Sequence, residues 1–445
     1  MNPINVKYVT DNDLCNSCGF CEAVCPEQAV KMQFNKVKGF HEPVITESIC
    51  KECGKCLEVC QGYEVDYPKL NKFMEREIPQ KHQIGNVKES MVLYSSDLEI
   101  RKRAASGGAI TQLLSYLFDK GEICAAYVTK PSKKNAFEPE GFIAKNKSEL
   151  VVSQMSIYNT VPYGKVVNEI KNLKGKIAVV TIPCQTHGLI KYLMMNPELK
   201  EKIFIIIGTF CGGYQTWFAH KYYFPEINVN FNEVQSIDYR YGEFPGQLRV
   251  GFKNGSSKEF KRRFQTANEK DKYNTAFNSN FYLPRCYVCA DKGNIFADIS
   301  AGDPWLPKFE NEKLGKSLVV SRTELGNKII NEAVNAGYLI KETADFIDVN
   351  NVQKFEKERH GNQTGYKKIY KLFNKSYPKY KFLGENKIYS KAIYLRVIFD
   401  IFKISLQRKP GFWFLMKPLY VIDKHFRNIF ILSNPYKYFK RKLKK

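Results

Sequence analysis

Two copies of one cysteine pattern near the start constrain this chain more than any other feature. The first, CNSCGFCEAVC, places Cys15, Cys18, Cys21 and Cys25 at C-x2-C-x2-C-x3-C spacing. Three thiolates separated by two residues let the backbone curl around one face of a cubane iron–sulfur cluster. The second copy, CKECGKCLEVC, supplies Cys50, Cys53, Cys56 and Cys60. The repeats therefore predict two [4Fe–4S] clusters.

The fourth cysteine of such a run ligates the other cluster in two-cluster ferredoxins. Zinc ribbons are the alternative, but they normally show two separated C-x-x-C pairs per metal. One departure is that Pro26 follows the first run, whereas Gln61 and Gly62 follow the second. The expected ligands are Cys15, Cys18, Cys21 and Cys60 for cluster 1, and Cys50, Cys53, Cys56 and Cys25 for cluster 2.

A serine–glycine loop stands before a helix pattern in SGGAITQLLSYLFDKG. Apolar residues from Ile110 to Phe118 recur at helical spacing. Ser106, Gly107 and Gly108 would lie at the positive end of that helix, where backbone N–H groups suit a phosphate or pyrophosphate. A serine N-cap beside flexible glycines explains the same residues equally well.

Two later segments each join an apolar strand to a cysteine. KIAVVTIPCQTHGL places Pro183, Cys184 and Gln185 in a loop after one strand, and KIFIIIGTFCGG places Cys211 after the next. Uninterrupted apolar strands are typical of parallel sheets, which bind ligands beyond their carboxyl ends. With the downstream CYVC, this predicts a third metal site, either a [4Fe–4S] cluster or a structural zinc ion. Its ligands would be Cys184, Cys211, Cys286 and Cys289.

Five segments occur in the order expected of the coenzyme F420 hydrogenase/dehydrogenase beta-subunit family. They are AASGGAITQLLSYLFDKG, TIPCQTHGL, TFCGG, YGEFPGQLRV and CYVCADKGNIFADISAGDPW. The chain resembles this family over roughly residues 1–345. The resemblance implies FAD near the serine–glycine loop, a cluster on the third cysteine set and further ligand contacts. The implied cofactor contacts are Ser106, Gly107, Gly108, Pro183, Gln185, Arg240 and Asp303.

Two of these assignments have structural alternatives. The ADISAGDPW segment, which contains Asp298 and Asp303, could equally form a turn with a capping acid. His187 is a candidate catalytic proton donor beside a flavin, although a single histidine more often has a structural role.

FAD combined with clusters converts two-electron into one-electron chemistry. We expect an iron–sulfur flavoprotein oxidoreductase that exchanges electrons with ferredoxin or another redox protein and acts on an unidentified small molecule. Surface-polysaccharide biosynthesis is one setting that the family suggests. The alternatives are a deazaflavin-coenzyme dehydrogenase and an electron-transfer subunit with no substrate of its own.

The last 80 residues are a strongly basic tail. Residues 366–445 hold 21 Lys or Arg against three acids, so they carry +18 of the net charge of +24. AIYLRVIFDIFKISLQ predicts a helix with Arg396, Asp400, Lys403 and Gln407 on a polar stripe. Apolar faces with basic charge suit an anionic membrane surface, and packing against the body or a partner is the alternative. A recognition module for nucleic acid is not evident.

The expected fold is an α+β ferredoxin-like head, an α/β body with a mainly parallel sheet and a basic helical extension. The start shows no apolar core of an export signal, and thirteen cysteines favour a reducing compartment. We therefore expect a cytoplasmic protein, with the inner face of the membrane as a second location. The predicted units are 1–66 (ferredoxin head), 67–90 (connector), 91–170 and 171–345 (flavoprotein subdomains) and 366–445 (tail).

Overall fold

Strands and helices alternate along most of the chain in a computed structural model that describes residues 4–77, 79, 84–261, 267–278, 280–309, 311–344, 353, 363–382 and 393–423. The described strands are β1 (Val30–Asn35), β2 (Phe40–Ile45), β3 (Glu64–Asp66), β4 (Glu89–Ser95), β5 (Ala125–Lys130), β6 (Glu140–Ala144), β7 (Ile177–Thr181), β8 (Ile203–Thr209), β9 (Val234–Tyr241), β10 (Gln247–Phe252), β11 (Ser257–Phe260), β12 (Ile299–Gly302), β13 (Ser317–Ser321), β14 (Leu339–Thr343) and β15 (Lys379–Lys381). The described α-helices are α1 (Lys7–Asp11), α2 (Phe20–Ala23), α3 (Lys55–Glu58), α4 (Tyr67–Phe73), α5 (Leu98–Arg103), α6 (Ala109–Asp119), α7 (Lys147–Leu150), α8 (Pro183–Met195), α9 (Phe218–Glu226), α10 (Ala267–Phe277), α11 (Pro284–Tyr287), α12 (Glu324–Asn335), α13 (Gln363–Leu372) and α14 (Ile393–Gln407).

The body is built on an eight-stranded sheet of order β14-β4-β13-β12-β8-β7-β5-β6. Its central strands β12, β8, β7 and β5 run parallel, which fits the predicted α/β body. The outer pairings are antiparallel. Strands β7 and β8 carry the uninterrupted apolar runs that two-sided burial requires, and their parallel direction was predicted from these runs.

Helices and the head cover the two faces of this sheet. On one face, α6 and α12 pack through Leu117 and Ile330 against alternate residues of the central strands. On the other face lies α8, and the head packs over it. Phe20 approaches Gly188 so closely that a Cβ there would lie 2.5 Å from the ring. This contact places the cysteine repeats directly against the body.

The head itself contains the antiparallel hairpin β1–β2 and two single-turn helices. Helices α2 and α3 each carry the third cysteine of a repeat. The residue before each is a glycine with positive φ, Gly19 at 81° and Gly54 at 75°. That left-handed conformation suits glycine and turns the chain sharply between two cysteines.

The described part of the tail packs on the head and the body. Strand β15 pairs in parallel with β3 of the head, and Arg408 makes a two-pronged ion pair with Asp13, with Nη2–Oδ1 at 2.7 Å. The predicted tail helix is present as α14. Residues 383–392 and 424–445 of the predicted tail lie outside the described residues. Within the described part, no helix is both long enough and apolar enough to cross a membrane.

Candidate functional site

The four cysteines expected to hold cluster 2 surround one small cavity in the head. Cys25 of the first repeat lines it together with Cys50, Cys53 and Cys56 of the second. Cys53 is exposed and Cys56 is buried. The structure thus brings together a set with one cysteine from the first repeat and three from the second, as the crossed pattern predicts.

The cluster 1 cysteines form a second, fully buried group. Cys15, Cys18, Cys21 and Cys60 are each at most 9% exposed. Burial raises the pKa of the Cys18 thiol to about 11, and the neighbouring Cys60 contributes. Burial also raises the pKa of Cys15 and Cys21, again with Cys60 as a contributing neighbour. Crowded buried thiols become thiolates when a metal supplies the compensating positive charge.

Hydrogen bonds and a close contact explain the residues around these thiols. The Ser17 amide donates to Cys15 Sγ at 3.3 Å, and Gln61 Nε2 lies 3.7 Å from Cys18 Sγ. At Gly62, a Cβ would lie 2.3 Å from the carbonyl oxygen of Leu14. The departure from the usual proline after the second repeat therefore has a local cause.

The third cysteine set also assembles, at the carboxyl edge of the sheet. Cys184 lies in the first turn of α8, Cys211 follows β8, and Cys286 and Cys289 lie in and after α11. The prediction of a loop around Cys184 was wrong, because the helix begins at Pro183. Burial is the main reason that the pKa of Cys184 is raised, and its neighbours Cys211, Cys286, Cys18 and Cys289 raise it further.

Cys18, one of the four cysteines expected to hold cluster 1, is thus also a neighbour of Cys184 in the third set. Among the described residues, no three His, Cys, Asp or Glu side chains converge closely enough to hold a single metal ion. The fit of these cysteines to metal clusters rests on their grouping and their chemistry.

A large cavity opens beside the third set. Its volume is about 570 Å³, within the range of roughly 300–1,000 Å³ seen for small-molecule and cofactor sites. Ser106, Gly108, Gln185, Arg240 and Asp303 line it together with Cys211. Five of the seven residues assigned to cofactor contact thus meet at one cavity. Gly107 and Pro183 are not among the residues that line it.

The serine–glycine loop has a geometry that excludes the serine-cap alternative. The residue that precedes α6 is Gly108, with φ of 75°, and Ser106 donates its hydroxyl proton to the Lys316 carbonyl instead. At Gly107, a Cβ would lie 2.8 Å from Cβ of Tyr94. Gly107 therefore lets the loop pack on β4, while Gly108 brings the start of α6 to the cavity.

Polar side chains join the cavity to the third set. Gln185 accepts a hydrogen bond from the Ile182 amide at 3.0 Å and donates to the Tyr214 hydroxyl at 2.9 Å. The amide of Tyr214 lies 3.4 Å from Cys286 Sγ. Tyr214 is also a cavity residue. These contacts hold Gln185 between the cysteines and the cavity.

Arg240 also lines the cavity, and its side chain is fixed by two neighbours. Its Nη1 lies 2.7 Å from Asp303 Oδ2, and its Nε donates to the Pro245 carbonyl at 2.6 Å. Gly246 allows this approach, because a Cβ there would lie 2.5 Å from Cα of Arg240. A positioned guanidinium suits an anionic or planar ligand group.

Two sequence candidates lie elsewhere. His187 is buried in α8, and its Nε2 lies 3.2 Å from Asp291 Oδ2. It is not among the cavity residues, which removes the basis for a proton donor at that site. Asp298 accepts from the Ile206 amide at 2.8 Å and pairs with Arg76 at 2.8 Å, so it has a structural role.

Sequence reasoning missed Tyr214, Lys292 and Arg285. Lys292 lines the cavity. Arg285 is only 2% exposed, donates from Nη2 to the Gln61 carbonyl at 3.3 Å and lies over the ring of Tyr380 at 5.3 Å. It lies beside Cys286, where its positive charge can offset the negative charge of a thiolate-bound cluster. Its position immediately before CYVC was the available signal.

Comparisons with known proteins agree with these features. Residues 14–62 match a 4Fe–4S dicluster domain. Residues 91–168 and 174–346 match the N-terminal and C-terminal parts of the coenzyme F420 hydrogenase/dehydrogenase beta subunit. The iron–sulfur head and the resemblance read from the sequence are thereby confirmed.

Individual relatives are distant but cover long stretches. The chain is 25% identical over 385 residues to a subunit of the F(420)H(2) dehydrogenase of Methanosarcina mazei, in a match that covers 84% of this chain and 97% of that protein. It is 28% identical over 267 residues to the coenzyme F420 hydrogenase beta subunit of Methanothermobacter thermautotrophicus, covering 57% of this chain and 84% of that protein.

A solved structure supports the fold. The chain is similar to a chain of the F420-reducing [NiFe] hydrogenase complex from Methanosarcina barkeri, with a TM-score of 0.52 and 20% identity. The match covers 68% of this chain and 99% of that one.

Proposed function

Because the chain belongs to the coenzyme F420 hydrogenase/dehydrogenase beta-subunit family, we propose that it is an iron–sulfur flavoprotein that exchanges electrons between a deazaflavin coenzyme and the clusters of its head. The observation that carries this proposal is the serial arrangement of the cysteine sets. They run from exposed Cys53, through buried cluster 1 with Cys18, to Cys184 and then to Cys211 at the cavity.

The proposed third cluster completes this series. Cys184 has both Cys18 of the cluster 1 set and Cys211, Cys286 and Cys289 of its own set among its electrostatic neighbours. A metal cluster on the four cysteines of the third set would thus lie between cluster 1 and the cavity. Zinc carries no redox chemistry, so a zinc ion there would interrupt the route.

The cavity is the proposed FAD site. The start of α6 presents backbone N–H groups beside Ser106 and Gly108, which suits a pyrophosphate. FAD supplies hydride exchange on one side and single-electron exchange on the other. Lys292 brings positive charge to the cavity wall, Arg240 supplies a guanidinium paired with Asp303, and Gln185 supplies an amide next to the third set.

The proposed substrate is coenzyme F420 or a closely related deazaflavin. Both relatives and the similar solved complex carry F420 in their names. The surface-polysaccharide substrate considered from the sequence has no support among them. Such a ligand would have to enter the cavity beside the flavin. Trp305 lines the cavity and is exposed, so its ring offers a flat surface on which the deazaflavin ring can stack.

A second proposal concerns the partner. The relatives named above are subunits, and Cys53 of cluster 2 is exposed at the surface of the head. We propose that a redox protein docks there and receives or delivers single electrons. The chain would then act as an electron-transfer subunit whose own substrate is the deazaflavin.

Cofactor content and turnover test the proposal. Protein purified anaerobically should contain FAD and about twelve irons per chain, four for each cubane. Reduced F420 should be oxidised with a viologen dye as electron acceptor. About eight irons and one zinc would remove the third cluster, and loaded protein that leaves reduced F420 untouched would contradict the deazaflavin substrate.

A further inference from the structure

The described tail exposes an apolar surface. Two of its side chains, Phe412 and Phe414, are 50% and 70% exposed. Both lie in the short 3-10 turn Pro410–Leu415. Large exposed apolar side chains gathered in one region typically mark a site of interaction. The tail apolar surface consists of Leu395, Ile398, Phe402, Phe412, Phe414 and Ile422.

Helix α14 has apolar residues on both sides, because Val397 and Ile401 are buried in the core while other apolar residues face outward. Its outward positions Leu395, Ile398 and Phe402 are apolar, whereas Asp400 and Lys403 are at most 2% exposed. Inside the protein, Lys403 Nζ lies 2.7 Å from Asp400 Oδ1. The polar stripe predicted from the sequence exists, but it points inward.

The inward stripe is a built arrangement. The Tyr366 hydroxyl of α13 donates to Asp400 Oδ2 at 2.7 Å, and Asp423 lies 3.5 Å from Lys403 Nζ. Burying an ion pair carries a desolvation cost that its partners offset. These contacts fix the rotation of α14 and leave Leu395, Ile398 and Phe402 on its exposed side.

The charge of the tail favours an anionic lipid surface over a second copy of this chain as the partner of this apolar face. The 22 residues from 424 to 445 contain eight Lys or Arg and no acid. Helix α13, which packs on α14, exposes Lys367, Lys368 and Lys371. Two copies of so basic a tail would repel each other. An exposed apolar face on a strongly basic stretch of sequence matches an anionic lipid surface, where both signals add.

We propose that the exposed apolar surface of residues 393–423 binds the surface of an anionic bilayer, with the basic charge of the sequence that follows adding to the attraction. The rings of Phe412 and Phe414 and the outer face of α14 enter the interface, and the basic residues attract the lipid headgroups. Because Arg408 ties this region to Asp13 of the head, binding would hold the cluster-bearing head beside the membrane. The proposal needs no cluster or flavin and goes beyond the proposed redox function.

Vesicle sedimentation with the full, cluster-loaded chain tests the proposal. We expect binding to vesicles of phosphatidylglycerol and phosphatidylcholine, and much weaker binding to phosphatidylcholine alone. The double variant Phe412→Ser/Phe414→Ser should bind roughly tenfold or more weakly, because two ring burials are lost. As a matched control, Val37→Ser/Val152→Ser changes two residues that are 76% and 50% exposed on other parts of the protein, and it should bind as the wild type does.

A charge variant separates the two contributions without altering the described tail. Replacing Lys440, Arg441, Lys442 and Lys444 with glutamine should weaken binding and reduce its dependence on salt. The proposal is overturned if the phenylalanine variant binds as tightly as the wild type or if the wild type does not sediment with anionic vesicles. Dimerisation that Phe412→Ser/Phe414→Ser abolishes, without vesicle binding, would overturn it in favour of a second copy.

Discussion

Buried thiols dominate the chemistry of this chain at the scale of single residues. Cys60 is an electrostatic neighbour of Cys15, Cys18 and Cys21. Burial raises the pKa of each of these three thiols. An apolar enclosure of this kind disfavours free thiolates and favours thiolates bound to a metal. The same enclosure makes the surrounding residues sensitive to small changes in volume.

Gly62→Ala should remove cluster 1. The new methyl group would lie 2.3 Å from the Leu14 carbonyl oxygen and 3.3 Å from Cys60 Sγ, so the chain around Cys60 must move. Iron analysis should show a loss of about four irons per chain. Gly411→Ala is the control, because a Cβ there has no neighbour within 4 Å. Full iron content in Gly62→Ala would show that the loop tolerates the shift.

Metal-free protein should lose stability as the pH rises above 9. The Cys18 thiol has a pKa of about 11 when folded, against an ordinary value of 9.0. Between these values the unfolded chain releases a proton that the folded chain retains. Stability is therefore fully present below pH 9 and falls by about 1.4 kcal/mol per pH unit for this thiol.

Thermal unfolding of the chelator-treated protein across this range measures the effect. The melting temperature of the wild type should fall as the pH rises, and the melting temperature of Cys18→Ala should fall less steeply. Equal slopes for the wild type and Cys18→Ala would contradict the assignment of the effect to this thiol.

At the scale of elements, local patterns predicted more than long-range packing did. The spacing of apolar residues predicted α6, and uninterrupted apolar runs predicted the parallel strands β7 and β8. Cysteine spacing predicted which thiols group in the head, because two such runs exchange their fourth cysteines in two-cluster ferredoxins. The inward rotation of α14 could not be read from its sequence, since the partners of Asp400 lie on α13 and at residue 423. Arg285 and Tyr214 were missed for the same reason.

Arg408→Ala should loosen the tail from the head. The guanidinium pairs with both carboxylate oxygens of Asp13, and both side chains are about three-quarters buried. Partly buried, two-pronged pairs of this kind contribute on the order of 1 kcal/mol. Limited proteolysis should cut residues 393–423 faster in Arg408→Ala than in the exposed neighbour variant Lys409→Ala. Equal cleavage rates would show that β15 and the packing of α13 and α14 hold the tail without this ion pair.

At the scale of the whole molecule, the proposed redox groups follow one another from the cavity to the exposed cysteine of the head. The head covers one face of the sheet through α8, and that helix carries Cys184 in its first turn. The close contact of Phe20 with Gly188 fixes how near the head lies to α8, so packing and the proposed electron transfer depend on the same interface. A body with a cavity at one end and an exposed cluster site at the other suits a protein that converts hydride chemistry into single electrons.

Reduction of the head clusters by reduced F420, followed by electron paramagnetic resonance after rapid freezing, tests this route most directly. In the wild type, both head clusters should become reduced. In Cys184→Ala, which removes a proposed ligand between the cavity and Cys18, the head clusters should remain intact and reducible by dithionite, but reduced F420 should reduce them far more slowly. Equally fast reduction in Cys184→Ala and the wild type would contradict the proposed order of the redox groups.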